Sequence, residues 1–360
     1  MFFVIISLFN LCIACYLGGS LIRTTRLKRI VKVFLFALLV LLSQKTWLVL
    51  LGDDINNQTV SSFAFYFDGF VQIALFICFC VAVIVDVATG ILRIFSLRLP
   101  YRVPIILMVS SVITFYGFYE AVKVPAVSYV TISSDMLPAD WEEVKIAVLS
   151  DLHISSTTDQ EKKWLQAVVD KTNSLNADMI LITGDIIDDS VLNLSKQMQP
   201  LFDLKALDGV YIVFGNHETY HGAQQWENFF KNNGMMVLND KIISVQLGKN
   251  KIALAGIYQN VSLLEKKQVV VPILLMAHYP SVAKKISDNK VFLQLSGHTH
   301  GGQFPLLSAL VKRANNGFVQ GLYMQDHSQI YVHSGTGLWR GFPFRFMIPS
   351  EITLITINRK

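Results

Sequence analysis

Four apolar stretches fill the first 122 residues, Phe2–Ile22, Ile30–Leu51, Phe63–Ala88 and Pro104–Val122, each near the roughly 20 residues that carry a helix across a bilayer. A chain that opens this way folds as a membrane part joined to something else. Composition agrees, since 52% of the 360 residues are hydrophobic and only 16% charged, with a mean hydropathy of +0.44. The residues after Val122 suffice for one full domain. The first stretch differs from a cleaved signal peptide because no basic residue precedes it and three comparable stretches follow.

The short loops carry an orientation signal. Arg23, Arg26, Lys28, Arg29 and Lys32 mark the loop between the first and second stretches, and Arg93, Arg98 and Arg102 that between the third and fourth. The loop between the second and third holds Asp53 and Asp54 and no basic residue. The positive-inside rule puts both basic loops in the cytoplasm, which predicts a multi-pass cell-membrane protein with everything after Val122 outside the cytoplasm. Asp68 and Asp86 stand near the edges of the third stretch, where an acid either marks the interface or serves a function. From Lys123 onward there are 22 basic and 21 acidic residues, a balance that leaves no electrostatic footprint for nucleic acid. All four cysteines, Cys12, Cys15, Cys78 and Cys80, lie in the apolar stretches, so the remainder has neither a disulfide framework nor a thiolate zinc site.

Residues 123–142 read as a linker, with scattered Pro and Ser, that enters an edge strand at Val127–Ile132; residues 143–360 read as one domain. Its first strand, Val144–Leu149, precedes a helix announced by the Thr158/Glu161 capping pair. Strands Met179–Thr183 and Val210–Phe214 alternate with helical pieces at Val191–Ala206 and Gln224–Lys231. Shorter strands follow at Met236–Leu238, Ile242–Leu247, Lys251–Ile257, Pro272–Met276, Val291–Leu295, Ile330–His333 and Ile352–Ile357. The pattern predicts a four-helix transmembrane region followed by an α/β (α+β) domain. In that domain two packed mixed sheets are flanked by helices, with functional residues at the carboxyl ends of strands.

Those strand ends carry Asp151 and His153; Asp185 after Gly184; Asn216 and His217 in Gly215-Asn216-His217-Glu218; His278; and His298 and His300 in Gly297-His298-Thr299-His300-Gly301-Gly302-Gln303. Singly, each has an ordinary explanation as a cap, a turn residue or a hydrogen-bonded core imidazole. Five strands ending in carboxylate, amide and imidazole groups together suit first-row ions such as Mn²⁺, Fe or Zn²⁺. Taken in order over about the last 210 residues, these blocks resemble the calcineurin-like metallophosphoesterase superfamily. Gly335-Thr336-Gly337, Pro343-x-Arg345 and Pro349-Ser350-Glu351-Ile352 further resemble the bacterial branch that includes a Tat-exported phosphoesterase and UDP-2,3-diacylglucosamine hydrolases. Ser350 interrupts the Pro-Glu-Ile pattern common there.

The resemblance implies a phosphoesterase with two divalent ions, Asp151, His153 and His300 on one, Asn216, His278 and His298 on the other, and Asp185 bridging. It makes His217 the acid that serves the leaving group. Asp188, in the Asp188-Asp189 pair, is expected to tolerate replacement. Lys312, Arg313, Trp339, Arg340, Phe342, Phe344, Arg345, Phe346 and Met347 mix basic and apolar groups near the expected pocket mouth, and Arg340 and Arg345 are expected to touch substrate. The membrane part favours a membrane lipid or lipid-linked phosphodiester or pyrophosphate as substrate, with the bilayer as partner. The alternatives are soluble or protein phosphates, with the membrane part only an anchor, and a non-enzymatic scaffold, which would have no need of the ligand set. The sequence leaves the oligomeric state open.

Overall fold

The computed structural model describes residues 2–44, 58–137, 143–155, 158–247, 250–266, 271–286, 290–339 and 341–360. They fall into two units, Met1–Glu120 with Arg340–Phe344, and Ala121–Trp339 with Arg345–Lys360.

In the first unit, α1 (Phe2–Leu17) runs on into a π turn, and α2 (Arg29–Ser43), α3 (Gln58–Ile94) and α4 (Arg102–Val122) follow, the last reaching just past the unit's end. Among the described residues three segments, Val4–Ile22, Phe67–Ile94 and Arg102–Val122, are long and apolar enough to cross a membrane, where four were expected. The described part of the second stretch, α2, has 15 residues. It rises about 22 Å against roughly 30 Å of hydrocarbon. Residues 45–57, including the rest of that stretch, lie outside the described residues. Polar ties join the helices. Asp86 pairs with Arg102 and accepts from Tyr16 (3.0 Å) and Ser20 (2.8 Å), the partnering an acid needs in an apolar bundle. Asn10 donates to Gln72 (3.1 Å), Gln72 to the Leu42 carbonyl (3.1 Å), and Ser7 to Gln44, which ties α1 and α3 to the end of α2. Phe342 and Phe344, expected at the pocket mouth, pack inside this unit: the Phe342 ring lies 6.4 Å from that of Phe76, and Phe344 fills the space left by Gly117.

The second unit is built on two six-stranded sheets. Its strands are β1 (Ala126–Ser134), β2 (Val144–Leu149), β3 (Met179–Ile182), β4 (Val210–Ile212), β5 (Met236–Val237), β6 (Lys241–Leu247), β7 (Asn250–Ile257), β8 (Ile273–Ala277), β9 (Val291–Ser296), β10 (Gly321–Gln325), β11 (Ser328–Val332) and β12 (Glu351–Arg359). The orders are β1-β12-β2-β3-β4-β5 and β10-β11-β9-β8-β7-β6, and both sheets mix parallel and antiparallel neighbours. The helices are α5 (Asp159–Asn173), α6 (Val191–Leu194), α7 (Asn216–Tyr220), α8 (Ala223–Asn232), α9 (Leu263–Lys266) and α10 (Pro305–Ala314).

Burial on both faces explains the continuous apolar runs of the strands. Ile146 and Val148 of β2 join Leu274 and Met276 of β8 between the sheets, while Ala147 and Leu149 face Leu165 and Val169 of α5 and Trp226 of α8. Thr158 caps α5 by accepting from the Glu161 N–H, as the sequence predicts. The helix expected over Val191–Ala206 is instead a single turn, α6, and a separate 3₁₀ turn, Gln199–Asp203, with Pro200 in the first positions of that turn, where no N–H is needed.

Candidate metal centre

The carboxyl ends of β2, β3 and β4 in one sheet and of β8 and β9 in the other converge, and the expected ligands stand there. Asp151, His153 and His300 form one group, and Asp185, His278 and His298 another. His153 Nε2 and His300 Nε2 are 3.1 Å apart, and His300 Nε2 is 3.5 Å from Asp151 Oδ1. Asp185 Oδ2 lies 3.1 Å from His278 Nε2 and 4.0 Å from His153 Nε2, so it stands between the groups. Asn216 Oδ1 is buried with no hydrogen-bond partner, beside a residue, His217, whose N–H donates to Asp185 Oδ1 (2.9 Å). An orphaned amide oxygen and imidazole nitrogens converging on carboxylates are the donor set of divalent ions, so these residues fit two of them.

Backbone strain accompanies the convergence. Asp151, His153, Asp185, His298 and His300 all have positive φ, between 48° and 73°, a region that side-chain-bearing residues enter at a cost. Gly297 makes room for the crowd: a Cβ there would overlap Ser150 Oγ and the Asp151 carboxylate. His278 Nδ1 donates to the Thr183 carbonyl (2.8 Å), which aims Nε2 at Asp185.

Two further carboxylates hold the arrangement. Asp188 Oδ1 lies 2.7 Å from His153 Nδ1 and 2.6 Å from His217 Nδ1, so one oxygen orients a ligand imidazole and the expected acid together. These contacts run against the expectation that Asp188 tolerates replacement; it stands three residues beyond Asp185 in the loop that follows β3. Glu218 is fully buried and accepts from the N–H groups of Asp185 (3.1 Å), Ile186 (2.6 Å) and Gly215 (2.7 Å), which fastens the β3 loop to the β4 loop. Burial and the neighbouring Asp185 push its carboxyl up to about 7.

The charges sort the imidazoles. Burial alone would lower His153 and His278, but Asp188 for the first and Asp185 for the second outweigh it and raise them to about 9 and about 10. Burial drives His298 down to about 4, helped by His278. Burial also drives His300 down to about 3 in spite of Asp151. Without metal at pH 7, His153 and His278 hold protons that a cation must displace. Their raised values stabilise the metal-free fold fully below the ordinary imidazole value of 6.5, and that contribution is lost as pH rises through about 9 to 10. Calorimetry of metal binding at pH 7 in buffers of different ionisation enthalpy is expected to show release of about two protons, with affinity rising towards pH 9. Absence of proton release would contradict this charge assignment.

Of the two expected substrate contacts, Arg345 is corrected. Its side chain is fully buried and donates to the carbonyls of Ser334 (2.8 Å), Gly337 (2.9 Å) and His300 (3.4 Å), so it fixes the loops around His300 instead of standing open at the surface. Arg340 lies outside the described residues.

Compared with known proteins, residues 144–302 match the family described as Calcineurin-like phosphoesterase. An uncharacterized metallophosphoesterase of Helicobacter pylori is 36% identical over 258 residues, covering 68% of this chain and 67% of the relative. A transmembrane protein with metallophosphoesterase domain from Danio rerio is 32% identical over 275 residues, 70% of this chain and 62% of the relative. An uncharacterized metallophosphoesterase of Campylobacter jejuni is 28% identical over 375 residues, 99% of this chain and 98% of the relative, so that likeness takes in the apolar helices.

Proposed function

Because this chain belongs to the calcineurin-like phosphoesterase family of metal-dependent hydrolases, we propose that it cleaves a phosphodiester or pyrophosphate carried by a membrane lipid or lipid-linked molecule. The observation that carries this reading is Asp185 standing between two ligand groups in a chain whose last apolar helix ends at Val122, with only Lys123–Pro125 before β1. Divalent ions held by Asp151, His153, Asp185, Asn216, His278, His298 and His300 would supply an activated water and neutralise charge on the phosphate oxygens. The protein's own part is positional. Asp188 engages His217 Nδ1, which leaves Nε2, 3.9 Å from Asp185 Oδ2, as the nitrogen turned to the reaction. As water oxygen bonds to phosphorus and the phosphorus–oxygen bond to the leaving group breaks, His217 Nε2 gives its proton to the departing oxygen. Lipid profiling of membrane extracts tests the substrate: wild type consumes a phosphorylated lipid that an Asp185→Asn variant spares. No lipid difference, with turnover of soluble phosphates alone, would overturn this reading.

The active domain lies outside the cytoplasm in this proposal. The two basic loops share the cytoplasmic side only if the chain crosses an even number of times between Lys32 and Arg93. The bond from Ser7 to Gln44, near the outer start of α1, supports a return by α2 through most of that depth. Alkaline phosphatase fused after Lys360 is expected to be active and a fluorescent protein dark; the opposite pair would move the domain to the cytoplasm.

A further inference from the structure

Helix α10 and strand β10 of the second unit each turn apolar side chains outward. Helix α10 begins five residues after His300, and its outward side carries Leu306, 70% exposed, and Leu310, 63% exposed, one turn apart, with Ala309 beside them. Lys312 and Arg313 close the helix, also exposed. After a turn, β10 exposes Leu322 and Met324. From Gly301 to Gln325 there is no acidic residue, so the segment is cationic and apolar together. Isolated exposed leucines are ordinary, but a helix face in water is normally covered with charged and polar groups. An apolar face ending in basic residues is the composition of a helix that lies in a membrane interface, with leucines among the acyl chains and cations at anionic headgroups.

We propose that α10 lies on an anionic lipid surface. This rests on the reading that the apolar helices seat the chain in a bilayer, which puts such a surface within reach. It has a consequence for the metal centre. Ser308 donates to the Gly301 carbonyl (2.5 Å), and Gly302 lies so close to the Ser308 backbone that it has no room for a Cβ. The helix and the His300 loop therefore move together, and docking of α10 presents that loop to the lipid headgroups. An amphiphilic phosphoester then reaches the centre with its tail still in the bilayer.

Depth measurement tests this. In the full chain with its four cysteines replaced by serine, a fluorophore is attached at Leu306→Cys, Leu310→Cys or, as control, Leu207→Cys. Leu207 is 87% exposed but precedes β4, at the end of the sheet away from the centre. After reconstitution in phosphatidylethanolamine–phosphatidylglycerol vesicles with nitroxide lipids, the two α10 labels are expected to be quenched about threefold more than the control. Adding Lys312→Gln with Arg313→Gln should reduce that difference in these vesicles and not in phosphatidylcholine alone. Equal quenching at all three positions, or contact between labels of two copies without lipid quenching, would overturn the proposal. Because the readout is position rather than turnover, its failure is separable from failure of the lipid-hydrolase reading.

Discussion

Asp185→Asn is expected to abolish hydrolysis and empty the centre. The substitution keeps the shape of the side chain and removes its charge. That charge lies 3.1 Å from His278 Nε2 and 4.0 Å from His153 Nε2, one imidazole from each side of the centre. Burial would raise the Asp185 carboxyl, yet His278, His153 and His217 together hold it far below the ordinary range, so it is ionised whenever the protein is folded near neutrality. An amide would turn either an oxygen or an N–H₂ towards ions that need a shared anion. The loss in metal affinity and activity should exceed the roughly 10–100-fold that follows removal of an outer partner of a ligand. Elemental analysis and turnover of a nitrophenyl phosphodiester measure it, and a variant with full occupancy and full rate would remove Asp185 from its bridging role.

The second large effect separates His217 from the ligands. His217→Ala should keep both ions and lose about 10²–10⁴ in rate, the range of a general acid, with a smaller defect for good leaving groups such as nitrophenol. Asp188→Asn should behave differently because the same Oδ1 holds both His217 and His153. It is expected to cost about 10–100-fold in metal affinity as well as rate. Combined with His217→Ala at saturating metal it should add little further rate loss, since its effect on rate then runs through His217, while the loss of metal affinity through His153 remains. Equal defects of His217→Ala on good and poor leaving groups would instead assign that imidazole to structure.

What the sequence revealed followed from burial and from chemistry at strand ends. Runs such as Val144–Leu149 and Met179–Ile182 are apolar on both faces because each lies between the inter-sheet core and a helical layer, and that makes them legible without neighbours. The candidate ligand residues were visible because each follows such a run. Asp188 was not, since an acid in an Asp-Asp pair looks like a solvated turn until the fold brings His153 and His217 to it. For Arg345 the reason is the opposite: its match to the Pro343-x-Arg345 motif and its aromatic neighbours suggest an anion contact, whereas the carbonyls of Ser334 and Gly337 that satisfy it are brought there only by the tertiary structure. Helix α10 and strand β10 escaped because their apolar residues face outward, contrary to the pattern by which a soluble element is read.

Metal stoichiometry tests the central claim most directly. Full-length chain purified in detergent, stripped with chelator and reloaded, is expected to bind two divalent ions per molecule, to lose phosphodiesterase activity on stripping and to regain it with the second ion. A chain that hydrolyses phosphodiesters at full rate without metal, or that saturates at a single ion, would contradict the two-ion centre built around Asp185.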